Sequence, residues 1–355
     1  MLADDLLNRF DGGGDKAAVQ VDAKVAADIL DQFWSIHGQV SSLVAERDEI
    51  LEVLAKDGRH FVLKIYNSAE APQLADLRAR ACSHIAMHDP SLPVPEVIPI
   101  NGDLQGLANI PGDAPRVVQL MTFLDGIPQF DVPRSSKQAL MIGRTLARTA
   151  NALADFEHPA DRRHLVWDLA NAAEVRPLLP SDTSDRWAMP AFILERFQND
   201  TWDRLKDLPS QVIHNDFNGH NLLMDPQDVT TITGIIDFGD VTRSQRVNDV
   251  AIAACYQLRF GEPGFAGACD VVAGYDSVSP LSEEEITLLP ALILVRLALA
   301  VTITEFRAAQ QPNRASQILK NTGYAWRALQ HLSGIENSRV ADQFRAACDK
   351  ENSHD

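Results

Sequence analysis

The stretch Val212–Asp240, VIHNDFNGHNLLMDPQDVTTITGIIDFGD, leaves a chain little freedom in how it folds. Two short apolar runs, Leu222–Met224 and Ile232–Ile236, flank a polar turn, and that pattern predicts a β-hairpin. His214, Asp216 and Asn221 precede the first run in the spacing HxDxxxxN, and Asp237-Phe238-Gly239 follows the second. An antiparallel hairpin brings these two groups to the same end, so two acids and an amide are gathered there. Phosphoryl transfer from a nucleoside triphosphate needs a carboxylate to receive a hydroxyl proton and oxygen ligands for Mg²⁺. Asp216 suits the first task, and Asn221 and Asp237 suit the second. Carboxylates that merely capped turns would have no reason to collect at one end of neighbouring apolar strands.

The rest of the composition sets bounds. At 355 residues the chain exceeds one small core and predicts two lobes; 45% hydrophobic and 23% charged residues are those of a globular protein. A net charge of −17 argues against a nucleic-acid partner. Cys82, Cys255, Cys269 and Cys348 are dispersed without a CxxC pair, which favours free thiols in a reducing compartment. The acidic N-terminus does not read as a signal peptide, and the longest apolar stretch, Leu288–Thr304, is broken by Pro290 and Arg296. A cytoplasmic protein with no membrane partner is expected.

Along the chain, residues 1–20 read as a flexible tail. Val25, Ile29, Leu30, Phe33 and Trp34 recur at helical spacing up to a stop at Gly38. Strands Ile50–Leu54 and His60–Tyr66 flank an Asp57-Gly58 turn, and Lys64 falls on the face opposite Phe61, Leu63 and Ile65. A helix over Pro72–His88 and a buried strand over Val117–Leu124 follow. Beyond that point the pattern is helical: Lys137–Phe156, Ala188–Trp202, Asn248–Arg259, Glu283–Ala309 and Ala315–Leu332. The division is therefore an N-terminal nucleotide-binding lobe over 21–123, a catalytic and substrate lobe over 124–338, and a C-terminal tail over 339–355.

These residues resemble the aminoglycoside phosphotransferase and choline kinase family, an α+β class with a protein-kinase-like two-lobe fold: a small β-rich N-lobe and a larger helical C-lobe. Within it, ERDEILEV (46–53), FVLKIYNSAE (61–70), HDPSLPVPEVIP (88–99), IIDFGDV (235–241) and GYDSVSPLSEEE (274–285) are most similar to the hydroxylysine-kinase-like branch. The resemblance implies that Lys64 contacts the α- and β-phosphates of ATP and that a loop over Leu43–Ile50 covers the nucleotide. It implies a hinge at Met121, Thr122, Phe123 and Leu124 whose backbone bonds adenine. It makes Asp216 the base and Asn221 and Asp237 the Mg²⁺ ligands, with His214 holding the turn and Asp249 a buried acid bracing the catalytic loop. Two departures stand out: the nucleotide loop has no glycine pattern, and Arg78 stands near the helix position where an acid is expected. Asp76 is then the nearest candidate partner for Lys64.

Arg296 interrupts the apolar LILVRLALAV, so its guanidinium must be paired or face a cavity. Either it binds the carboxylate of a substrate or it pairs internally with an acid such as Asp249. The combined expectation is an ATP- and Mg²⁺-dependent kinase acting on a hydroxyl of an amino-group-bearing small molecule, with a hydroxylysine-like hydroxy-amino acid favoured. Homoserine, choline-like and aminoglycoside acceptors are the alternatives, as is a non-catalytic nucleotide-binding scaffold.

Overall fold

In the computed structural model, the described residues are 10, 20–43, 48–180, 185–258, 265–332 and 334–353. The expected tail over 1–20 lies almost wholly outside them. Helix α1 (Ala23–Trp34) begins where the Asp22 carboxylate accepts the Val25 N–H, and it ends at Ser35, which adopts the left-handed conformation with φ 51°. The stop is thus earlier than Gly38, which instead opens strand β1 (Gly38–Leu43). A Cβ at Gly38 would lie 2.2 Å from the Leu54 carbonyl oxygen, so only glycine allows this close strand approach.

Strands β2 (Glu49–Ala55) and β3 (His60–Ile65) form the expected hairpin, with Gly58 at φ 87° in its turn. Helix α2 (Pro72–His88) carries proline at its start, where a missing N–H costs nothing. Strands β4 (Gly106–Ala108) and β5 (Arg116–Thr122) complete a five-stranded sheet in the order β1-β2-β3-β5-β4, with every pair antiparallel. Ile29 and Leu30 of α1 pack with Leu51, Val53, Leu63 and Val118 of the sheet in a core of their own. Burial of the apolar alternate residues is what fixes the register, because a one-residue slip would expose them all.

After the crossover, β6 (Ile127–Pro128) leads into α3 (Ser136–Ala152), capped by the Ser135 hydroxyl, and then a 3₁₀ segment, Leu169–Leu178. Helix α4 (Asp185–Arg196) continues through a π turn, Phe197–Thr201, into the single turn Trp202–Leu205. The small strands β7 (Ser210–Ile213), β8 (Leu222–Met224), β9 (Ile232–Ile235) and β10 (Thr242–Gln245) follow, β8 pairing with β6 and β9, and β7 with β10. Helices α5 (Arg246–Tyr256), α6 (Ala266–Asp276), α7 (Glu283–Gln310), α8 (Thr322–Leu332) and α9 (Asn337–Asn352) close the second, larger core.

Helix α7 starts at a capping box between Ser282 and Glu285. It is long and apolar enough to cross a membrane by length and composition, yet 78% of that apolar window is buried inside the lobe. The segment 339–355, expected as a tail, is mostly helix α9: Val340, Phe344 and Cys348 recur every fourth residue and are buried against the lobe. Helix α6 was not anticipated at all. It packs on α3 so closely that a Cβ on Gly143 would sit 2.0 Å from the Val271 carbonyl oxygen, and one on Gly274 2.2 Å from that of Leu140.

Candidate active site

The hairpin β8–β9 places its polar ends as the spacing predicts. The His214 imidazole Nε2 lies 3.1 Å from the Ile236 carbonyl oxygen, tying the loop before β8 to the end of β9. Asp249, on α5, accepts the backbone N–H of His214 through Oδ2 at 2.9 Å and that of Asn215 through Oδ1 at 2.7 Å. Those two bonds are needed because Asn215 has φ 64°, a left-handed turn that leaves both N–H groups pointing away from any strand ladder. Burial pushes the Asp249 carboxyl up to about 6, against the opposing pull of His214 and the two backbone N–H groups.

Asp216 is reached next. Its Oδ2 accepts the Asn221 side-chain N–H at 2.8 Å, and its Oδ1 accepts from Arg296 Nη2 at 2.7 Å. Arg296 is 2% exposed and also donates to the Trp167 carbonyl at 3.2 Å. Its guanidinium lies 5.1 Å from the Trp167 ring and 5.7 Å from that of Tyr256. The internal partner of Arg296 is therefore Asp216 and not Asp249, whose oxygens are both committed to backbone donors. Burial pushes the Asp216 carboxyl up to about 7; Arg296 opposes the shift, and the neighbouring Asp240 and Asp237 add to it.

Asp237 stands at φ 60°, ψ 67°, exposed, with Oδ1 accepting the Gly239 N–H at 3.1 Å. The Asn221 amide nitrogen is taken up by Asp216, through both the carbonyl oxygen at 2.9 Å and the carboxylate, which leaves its oxygen as the available atom. A carboxylate and an amide oxygen are hard donors, so this pair fits Mg²⁺ by its chemistry.

On the N-lobe side, Lys64 is on β3 with Nζ 3.1 Å from Asp48 Oδ2 and 4.7 Å from the Tyr66 ring centre. Its partner is thus Asp48, just before β2, and not Asp76. Asp76 is engaged by Arg80 at 2.8 Å and His158 at 3.0 Å, too committed to serve the sheet. Arg78 pairs with Glu70 at 2.6 Å and its Nε donates to the Gly239 carbonyl at 3.3 Å. Arg163, after α3, donates to the same carbonyl at 2.6 Å and to that of Val241 at 3.0 Å. Neither arginine's contact with the loop was legible, since both join segments distant in sequence.

At the hinge, the Thr122 N–H is bonded to the Glu96 carbonyl and the Phe123 N–H to that of His60. His60 and Phe123 stack with ring centres 3.8 Å apart. The Thr122 and Phe123 N–H groups are therefore occupied, Met121 pairs with Val62 within the sheet, and among the described residues the Leu124 N–H has no protein acceptor. The nucleotide loop expected over Leu43–Ile50 connects β1 to β2, whose ends Leu43 and Ile50 pair; its residues 44–47 lie outside the described ones.

Residues 48–281 match the family model described as "Phosphotransferase enzyme family". The chain belongs to that family. Members are phosphotransferases, and this chain is accordingly a small-molecule phosphotransferase with a kinase-like fold. A hydroxylysine kinase of Danio rerio is 26% identical over 343 residues, covering 89% of this chain and 96% of the relative. Among solved structures, an amicoumacin kinase in complex with AMP-PNP and Ca²⁺ superposes with a TM-score of 0.68 at 13% identity, over 90% of this chain and 97% of that one. A microcompartment-associated aminopropanol kinase gives 0.65 at 17%, over 93% and 99%.

Proposed function

We propose that this phosphotransferase is an ATP- and Mg²⁺-dependent kinase that phosphorylates the hydroxyl of a hydroxy-amino acid, with hydroxylysine-like molecules first among them. The observation that carries the acceptor class is Arg296. The ring faces of Trp167 and Tyr256, near the candidate base, would by themselves attract a quaternary ammonium. Here a guanidinium lies against both rings. Its Nη1 and Nη2 are taken by the Trp167 carbonyl and Asp216, and its Nε is buried. The two ring faces are therefore already occupied by a cation, which disfavours a choline-like head group there. Similarity to hydroxylysine kinases along most of the chain supports the same acceptor.

In mechanism, Asp216 orients the acceptor hydroxyl and receives its proton as the terminal phosphoryl group transfers in line. A carboxyl poised near neutrality receives that proton more readily than one left fully in water. Lys64, held by Asp48, steadies the phosphates from β3, and the Leu124 N–H and the hinge carbonyls meet the base edge. Asn221 and Asp237 would hold Mg²⁺, which neutralises charge on the phosphates when bound. Asp249 and His214 contribute by fixing the loop that carries Asp216, so that positioning and charge supply most of the rate. Four free cysteines, three of them buried, accord with a cytoplasmic setting, where ATP is supplied.

The test is ADP release across hydroxy-amino acids, the matching amino alcohols, and aminoglycosides. With Arg296→Lys, both an amino acid and its decarboxylated counterpart should lose turnover, because Asp216 loses a partner. In the parent, the amino acid should show the lower KM of the two. Equal KM values for the two would remove the carboxylate from the reading, and nucleotide binding without turnover on any acceptor would favour a scaffold.

A further inference from the structure

The C-terminal end of α2 carries His84 and His88, one helical turn apart, with Asp155 from the turn after α3 close to both. His84 Nε2 is 3.0 Å from Asp155 Oδ1, and His88 Nε2 is 3.8 Å from Asp155 Oδ2. One donor atom from each of the three lies within 4.8 Å of the others. We propose that these residues form a binding site for a borderline divalent cation of the Zn²⁺ kind, separate from the Mg²⁺ ligands at Asp237 and Asn221.

Three features of the cluster point to a cation. His88 Nδ1 lies 2.9 Å from the His84 carbonyl oxygen. Donating there fixes the ring as the tautomer whose Nε2 carries the lone pair, which is the outer-shell arrangement found behind ligating histidines. The His88–Asp155 separation of 3.8 Å is too long for a good hydrogen bond. It is nonetheless inside the roughly 4.2 Å that two donors on one zinc can span, given bonds of about 2.1 Å. Finally, the imidazole rings face one another at 4.0 Å, and His84 is backed by Phe156 at 5.0 Å, so the half-buried ring is held from behind. Two imidazoles and one carboxylate are a ligand set for zinc, with room for water in the fourth position. Mg²⁺, a hard ion that prefers oxygen and keeps its waters, would not compete for it.

The site's location gives it a consequence. It joins the end of α2 to the turn after α3, segments whose apolar residues share the larger core, and the Asp76–His158 contact bridges the same two segments. Helix α2 also bears Arg78, which holds the Gly239 carbonyl. A bound ion would reinforce the packing of α2 on that core.

The experiment is calorimetric titration of the full chain with ZnCl₂ in excess Mg²⁺, with Co²⁺ absorption as a second readout of a tetrahedral site. One ion per chain is expected, with affinity lowered more than about tenfold in His84→Ala and in Asp155→Ala, as loss of a ligand should exceed the ten- to hundredfold of losing its support. His88→Ala, at an exposed position, guards against misfolding of the His84 variant and should show the same loss. Asp237→Ala should keep the zinc isotherm. Variant isotherms that superimpose on the parent, or zinc binding that disappears with Asp237→Ala alone, would overturn the proposal.

Discussion

Replacing Asp249 by asparagine separates two opposed effects at one buried position. The carboxylate serves two backbone N–H groups, those of His214 and Asn215, one through each oxygen. Asparagine has a single acceptor oxygen, so one N–H is orphaned at a cost of about 1–3 kcal/mol. Against that, the folded protein holds Asp249 near 6 where an ordinary aspartate stands at 3.8, so keeping it ionised at neutral pH is itself unfavourable. The sign follows directly. A raised folded value contributes stability that is complete below the unfolded value and disappears as pH climbs through the folded one. Between pH 4.5 and 7.5 the parent should lose about 2 kcal/mol, at about 1.4 kcal/mol for each pH unit up to 6, that Asp249→Asn does not lose. Urea midpoints of both proteins across that range read the difference, since titrating groups remote from Asp249 act on both alike. Turnover should fall by about a hundredfold, the cost of a small displacement of the loop that carries Asp216. A gap between parent and variant that stayed constant with pH would refute the raised carboxyl, and full turnover in the variant would refute the brace.

Other substitutions address the remaining assignments. Asp216→Asn should leave nucleotide affinity nearly intact while single-turnover rates fall by about two to four powers of ten, the range for a positioned base; comparable rates would remove Asp216 from that role. Lys64→Ala should depress turnover more than adenosine binding, because a lysine acts on phosphates as a point charge. Asp48→Asn should reproduce part of that loss and Asp76→Asn almost none, and the reverse order in steady-state kinetics would return the partner to α2. Phe344→Ala should cost about 3–5 kcal/mol in urea unfolding, since the ring is fully buried and meets Phe265 edge-on at 6.0 Å; a loss below about 0.5 kcal/mol, the level of an ordinary surface change, would show that α9 is not docked.

What the sequence revealed was whatever depends on short spacing. The hairpin at Leu222–Ile235 and helix Pro72–His88 were legible because short apolar runs around a polar turn, a proline start and a proline-rich stop are local signals. Strand β1 was not, since GQVSSL is a half-exposed edge with few branched residues and owes its form to pairing with β2. Helix α6 was hidden for the opposite reason: AGACDVVAGYD is apolar or small on most faces, because it is buried on most faces. Helix α9 did carry its signal in Val340, Phe344 and Cys348, outweighed by charge. Within the site, residues adjacent in the chain were read together, whereas Lys64 with Asp48 and Arg296 with Asp216 are pairings created by folding.

The Gly239 carbonyl oxygen receives two arginines, Arg78 from α2 and Arg163 from beyond α3. A single atom, two residues from Asp237, is therefore a mechanical junction between the placement of α2 and the shape of the turn proposed to hold the cation. Such coupling is reciprocal: if a shift of α2 tightens that turn, filling the turn favours the shift by the same factor. Order of binding would then matter little to the final state, and a mutation at Arg78 should register as a change in how strongly nucleotide and metal reinforce one another.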